Sequence, residues 1–395
     1  MRLIHFALCV LLALAHVGFA ASRPLGGTNV TNDTGCQRPL IRKEWRTLST
    51  FERQRFIRAV RCHQTAPGQT SDVFYGVRSR YDDFLALHIS QTDYVHWVGQ
   101  LLPWHRYLLW SFEQSLRETC DYNGTVPYWD WTQDAVSEKA FLESPIFDPI
   151  HGFGGNGPYI ANTAGFPIDW QHPMTDVPGR TGGGCIQDGP FAQVNVSMGP
   201  GNHTDYTPHC LRRDFSPSLI TQALNASKLA FVLDAEDFWH LDHRIEGLSL
   251  GIADMSLHGG AHLGVGGNIG ELSNTYSSPA DPIFWLHHAA LDRVWNVWQN
   301  QGRLYSWLEF LTIRKDWETR KSDIGGPDTQ VCALLYSIGT QLTGISGLTH
   351  ITISATSLIR TLPSRYPSTL DKLGGTLKIE DMMDIHGGPF CYEYE

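Results

Sequence analysis

Charge is scarce in this chain, and nowhere is it concentrated. Only 18% of the 395 residues are charged, the formal net charge is -10, and Lys and Arg never form a run. That pattern argues against binding to nucleic acid or adhesion to anionic membranes. Past the N-terminus there is no stretch of roughly 18 uninterrupted apolar residues, so no spanning helix is expected. Carboxylates are missing where they would matter most. Two sets of three histidines, His88, His96 and His105, then His258, His262 and His288, lie in aromatic, helix-like sequence with no acid in either set. A metalloprotease of the His-Glu-x-x-His type needs Glu directly after its first histidine. Gly259 stands there instead.

What is present is imidazole in an ordered pattern. Imidazole serves zinc, copper, iron and nickel, and six neutral imidazoles without a carboxylate favour copper. His258 and His262 are four apart, so one helical turn would present both to a single ion. Asp281 is a good N-cap and Pro282 suits the first helical position, which predicts a helix over about residues 282–299. Phe284, His288, Asp292 and Trp295 then share a face, and His287 is offset by about 100°. Asp292, one turn on, is placed to receive the second NH of a ligating His288, whereas Leu291 stands four after His287. His288 is therefore read as the ligand and His287 as its neighbour. A lone histidine among aromatics is ordinarily a hydrogen-bonded core residue. His63, His151, His172, His203, His209, His350 and His386 lack ligand-like spacing and are read that way. His240 and His243, just before Arg244-Ile-Glu-Gly247, stand as competitors for ligation.

Thr92 is expected to cap a helix reaching about Leu102. Pro103 would kink that helix or open a second one to about Glu118, with His105, Leu109, Phe112 and Leu116 on one face. Further helices are expected from about Arg78 and from about Ala235 to Leu248. With the helix from Pro282 these predict a mainly α fold, a four-helix bundle around a dinuclear metal site. Long loops join the helices, and strands should be few, short and peripheral.

The segment Asp281-Pro-Ile-Phe-Trp-Leu-His-His288-Ala-Ala-Leu-Asp292 resembles the second copper motif of tyrosinases and catechol oxidases, the type 3 copper proteins. Around the first histidine set, Leu102-Pro-Trp-His-Arg-Tyr107 and Pro127-Tyr-Trp-Asp-Trp131 match that family as well. So do Glu44-Trp-Arg-Thr-Leu-Ser49, Gly152-Phe-Gly-Gly-Asn-Gly157 and His209-Cys-Leu-Arg-Arg213. Coverage runs from about Cys36 to Gly302, and Tyr392-Glu-Tyr394 resembles the tyrosine motif that closes the family's catalytic domain. The resemblance is to the short secreted fungal type of polyphenol oxidase.

That resemblance implies two copper ions, one held by His88, His96 and His105 and one by His258, His262 and His288, which share a dioxygen and oxidise a small phenolic substrate. Glu246 resembles the family glutamate that keeps a water near the site and is the candidate proton acceptor for monophenols. Its alternative is a buried acid paired with Arg244. Strong monophenol hydroxylases often carry Asn where this chain has Gly259, which leans the expectation toward o-diphenol oxidation over full tyrosinase activity. Tyr94 replaces a Cys that forms a thioether in some members, so that cross-link is not expected. An oxygen carrier of the haemocyanin type would use the same ligands but belongs to a much larger assembly. A copper-free secreted glycoprotein would leave the ordered histidines without a reason.

Residues 1–20 read as a signal peptide: Arg2, an apolar run from Leu3 to Val17, and small residues before a cut after about Ala20. Asn29, Asn32, Asn123, Asn195, Asn202 and Asn225 each begin an Asn-x-Ser/Thr sequon, in keeping with a secreted, extracellular glycoprotein. Removing Cys9 leaves Cys36, Cys62, Cys120, Cys185, Cys210, Cys332 and Cys391, an odd set in an oxidising compartment. Cys185 and Cys210 flank a Gly/Pro-rich loop and are the best local pair. The copper domain is assigned to residues 21–302 and a C-terminal segment to 363–395. Between them, residues 303–362 depart from the family, either as a lineage-specific insertion or as a misread exon boundary. Without that stretch Cys332 would vanish and six cysteines would remain.

Overall fold

The computed structural model describes residues 36–167, 176–247, 251–305, 323–324, 367–370, 373 and 375–395. The expected signal peptide and Cys332 lie outside them, as does most of the atypical stretch. Ten α-helices are described: α1 (Thr50–His63), α2 (Arg80–Val95), α3 (Leu101–Cys120), α4 (Trp131–Asp134), α5 (Glu138–Leu142), α6 (Pro217–Ala223), α7 (Ala226–Leu233), α8 (Phe238–Glu246), α9 (Leu257–Gly266) and α10 (Ile283–Tyr305). Six strands of two or three residues form three two-stranded sheets: β1 (Leu40–Arg42) runs parallel to β6 (Tyr392–Tyr394), while β2 (Asn195–Val196) pairs antiparallel with β3 (His209–Cys210) and β4 (Pro367–Thr369) with β5 (Thr376–Lys378). The fold is mainly α with peripheral strands, as expected.

Local chemistry explains where the helices start. Ser49 and Glu52 form a reciprocal capping box on α1, and Ser79 and Asp82 do the same on α2, which satisfies amides that have no partner inside the helix. Asp281 accepts the amide of Ile283 at the head of α10 and is itself held by both branches of the Arg213 guanidinium. The expected start near Pro282 is thus met within one residue.

For the first metal-binding segment one expectation fails and, of the two readings of Pro103, the opening of a second helix holds. Thr92 does not cap a helix; it lies inside α2, where its hydroxyl donates back to the carbonyl of His88 at 2.6 Å. The hydroxyl satisfies itself one turn back and lets the helix continue to Val95. Pro103 produces no kink, because it falls in the first turn of α3, where its missing N–H costs nothing. The helix expected over 235–248 is shorter, Phe238–Glu246, capped by Asp237 on the amide of His240.

The core is aromatic and is centred where α3 packs along α10, with α2 against α3 and α9 against α10. Trp285 of α10 stacks on Phe112 of α3 at 3.6 Å, and its indole N–H donates to the Tyr81 hydroxyl on α2 at 3.0 Å. Besides α2, α3 and α10, the helix that carries histidines of the two sets is α9, so it takes the bundle position expected of residues 235–248, and α8 flanks it. Three disulfides close the described chain, Cys36–Cys391, Cys62–Cys120 and Cys185–Cys210, the last being the expected local pair.

Candidate metal centre

Each histidine set converges. His88 on α2, His96 just past its end and His105 on α3 bring their rings within 5.0 to 5.7 Å of one another, centroid to centroid. On the other side, His258 and His262 of α9 meet His288 of α10, with ring separations of 4.8 to 5.5 Å. The two groups abut. His105 lies flat on His288 at 4.2 Å and His96 on His258 at 5.7 Å, and Phe284 packs between the groups.

The hydrogen bonds determine which nitrogen is available. Nδ1 of His88 lies 2.7 Å from the carbonyl of Tyr276, that of His96 3.0 Å from Thr92, that of His105 2.8 Å from Leu101, and that of His262 2.7 Å from Leu272. A carbonyl only accepts, so in each ring Nδ1 must carry the hydrogen and Nε2 the lone pair. The Nε2 atoms of His88, His105 and His258 are buried without any hydrogen-bond partner, and those of His262 and His288 face each other at 3.3 Å. Such orphaned acceptors are costly unless something fills the space between them. Burial, reinforced for most of the rings by neighbouring imidazoles, pushes all six pKa values below the ordinary range, to about 4 for His96 and His262. Neutral, inward-facing imidazoles, four of them with Nδ1 tied to a backbone carbonyl, form a donor set that can hold a metal ion and that suits copper among others.

His287 joins the second group: its buried ring lies parallel to His258 at 5.9 Å and edge-on to His262 at 4.8 Å, with Trp131 beyond. The expected role of Asp292 fails. Its carboxylate does not go to His288; it is taken up by Arg42, Arg106, Tyr392 and Tyr394. Two guanidiniums outcompete an imidazole for a buried charge.

The other histidines have their own partners. His63 bonds Ser115, His209 bonds Glu271, and the ring of His240 bonds Asp237, the N-cap of α8. His243 stacks on Trp239. Among the described residues neither His240 nor His243 enters a metal-competent group. His172 and His350 lie outside the described residues.

Glu246, the last residue of α8, is 4% exposed, and its Oε1 accepts the amide of Trp97 at 2.8 Å. Pairing with Arg244 does not occur, because that side chain donates to the carbonyl of Phe231 and lies over its ring. Burial pushes the carboxyls of Glu246 and nearby Asp242 up. A Cβ built on Gly259 would stand 2.6 Å from the sulfur of Met255 and 3.9 Å from the carbonyl of Glu246. Trp97, Asp242 and Met255 were not singled out from sequence; what marks them is a backbone angle, a buried acid and a close approach, none of which has a spacing signature.

Comparison with known proteins agrees with this geometry. Residues 78–301 match the model of the common central domain of tyrosinase. The N-acetyl-6-hydroxytryptophan oxidase ivoB of Emericella nidulans is 31% identical over 383 residues, covering 90% of this chain and 92% of that protein. Tyrosinase P of Aspergillus terreus is 35% identical over 280 residues, 67% of this chain and 77% of that one. Among solved structures, a glycine-to-asparagine mutant of polyphenol oxidase from Thermothelomyces thermophila superposes with a TM-score of 0.73 at 28% identity, over 90% of this chain and 89% of that one. The chain therefore belongs to the tyrosinase family of type 3 copper oxidoreductases.

Proposed function

We propose that the protein oxidises o-diphenols to o-quinones with dioxygen, using two copper ions, one held by His88, His96 and His105 and the other by His258, His262 and His288. The observation that carries this reading is the inward set of buried Nε2 atoms, with Nδ1 on backbone carbonyls wherever its partner is identified. Bound there, the copper pair supplies the two-electron exchange with dioxygen. Each o-diphenol gives up two electrons and two protons, and two such oxidations reduce one dioxygen to two waters.

The chain's own part is to orient and to exclude water. Phe284, Trp104 and the stacked imidazoles make the surroundings of the site apolar and dry. Glu246 is the residue to which a monophenol would pass its hydroxyl proton, at a carboxylate oxygen. Gly259 offers no side chain to orient a water beside it, which supports diphenol oxidation with at most weak monophenol hydroxylation. The substrate class is supported by the first relative, whose name gives a hydroxylated tryptophan derivative as its substrate.

We further propose a secreted protein. Three disulfides require an oxidising compartment, and Asn123, Asn195 and Asn202 of the sequons are exposed. Among the described residues no helix is long and apolar enough to cross a membrane. The deciding experiment is metal analysis followed by oxygen uptake with a monophenol and its matching o-diphenol. The expected result is two coppers per chain with rapid diphenol and slow monophenol oxidation. One zinc and no copper, or oxygen binding without turnover, would overturn it. Equal rates on both phenols would establish full tyrosinase activity.

A further inference from the structure

The turn that carries His96 is built in an unfavourable backbone conformation. Helix α2 ends at Val95, His96 is extended at φ -120° and ψ 146°, and Trp97 follows at φ 57°. Trp97 and Asp121 are the non-glycine residues described in the left-handed region, and Asp121 is a helix C-cap, where Asp is tolerated. A tryptophan has no such excuse. Left-handed non-glycine residues persist only when their surroundings over-determine them. The surroundings here include one long-range hydrogen bond, from the Trp97 amide to Oε1 of Glu246, between residues 149 apart in sequence.

The other end of that bond is rooted in the second histidine group. Glu246 closes α8, and the next residue, Gly247, bridges to Met255, which leads into α9 and His258. One turn back on α8, Asp242 is 2% exposed and its Oδ1 has no partner, so the wall behind Glu246 is itself acidic and dry. A buried carboxylate in that position is expensive unless it has a specific hydrogen-bonding task.

We propose that Glu246 is a positioning residue: by accepting the Trp97 amide it holds the His96 turn left-handed, so that the first histidine triad is preformed only when the α8–α9 unit is in place. This role is separate from proton transfer and rests on the proposed ligand set only for its metal readout. It makes assembly of one triad depend on the polypeptide that bears the other.

The two roles of Glu246 separate by substitution. Glu246→Gln keeps an oxygen that accepts the Trp97 amide but abolishes the base, whereas Glu246→Leu removes both. In copper-free protein, hydrogen exchange over residues 96–100 should be accelerated in Glu246→Leu and near wild type in Glu246→Gln. On titration with copper, Glu246→Leu should bind one of its two ions about 10 to 100-fold more weakly, and Glu246→Gln should not. Glycine adopts the left-handed region without steric cost, so Trp97→Gly in the Glu246→Leu background should restore both readouts. Unchanged exchange in Glu246→Leu would overturn the proposal, as would a Glu246→Gln variant as damaged as Glu246→Leu. If Glu246→Leu alone does not fold, the double variant decides: folding with two coppers supports the proposal, and failure to fold sinks it. Loss of monophenol oxidation in Glu246→Gln with exchange intact speaks to the proton-acceptor reading alone.

Discussion

A histidine's neighbours decide whether it is a ligand or a wall, and the chain contains both kinds. His63 is fully buried, bonded to Ser115 and packed edge-on to Phe112 and Tyr81. Burial, helped by the nearby Arg80 charge, pushes its pKa down to about 3. The unfolded chain titrates this histidine near 6.5, so between that value and 3 the unfolded state binds more protons and stability falls as pH falls. The slope inside the window is about 1.4 kcal/mol per pH unit. His63→Gln should lower stability at pH 7 yet show a shallower acid limb between pH 6.5 and 4 by about that slope, measured by denaturant unfolding of the copper-loaded forms. Parallel limbs would mean that His63 is protonated in the native state. At this scale the sequence was informative about type and silent about partners. The i, i+4 offset marked His258 and His262 as a pair, because short helical offsets bring side chains together, and the full set of six was marked by resemblance to the two copper motifs. The carbonyls of Tyr276 and Leu272, which orient His88 and His262, come from a turn and a three-residue 3-10 helix whose approach no periodicity encodes.

Helices carried most of what could be read in advance, and their ends carried the errors. The face His105, Leu109, Phe112 and Leu116 is buried as its spacing requires, whereas Thr92 fitted a capping pattern that the helix overrides by back-bonding to His88. Helix α9 was legible only as one turn holding His258 and His262. Its four glycines, Gly259, Gly260, Gly264 and Gly266, hide the helical signal, since glycine disfavours helix interiors. Gly260 has a reason to be there: a Cβ on it would stand 2.5 Å from the Cβ of Ala223 on α6. Neither atom lies at the end of a flexible side chain, so the helices themselves must part. Gly260→Ala should therefore destabilise by about 1 to 3 kcal/mol, although alanine gains roughly 1 kcal/mol of helix propensity. Displacement of α9 should also weaken metal binding between His258 and His262. A variant more stable than wild type would show that α6 can yield.

Across the whole molecule, the last residues of the chain return to its first strand and to the two central helices. Parallel pairing of β6 with β1, the Cys36–Cys391 bond and the carbonyls of Met382 and Met383 on Arg106 fix that return. At its centre is Asp292, wholly buried, which accepts from Arg106 on α3, Arg42 on β1 and the hydroxyls of Tyr392 and Tyr394. Burial opposes its charge, but the two guanidiniums and two hydroxyls prevail and hold its carboxyl below the usual range. The motifs ending in Asp292 and Tyr394 were visible separately by resemblance; that they meet was not, because 100 residues separate Asp292 from Tyr392. Asp292→Asn keeps the shape, removes the charge between two buried arginines and turns an NH2 donor toward a ring of donors. Breaking a buried pair in this way typically costs about 3 to 5 kcal/mol. The disulfide keeps the strand tethered, so the loss should appear first as faster proteolysis within residues 376–395 and a lower midpoint of thermal unfolding, and only under reducing conditions as full release of the C-terminal segment. A variant within about 1 kcal/mol of wild type, the scale of an exposed pair, would mean that β6 and the disulfide alone hold the segment, with Asp292 contributing little.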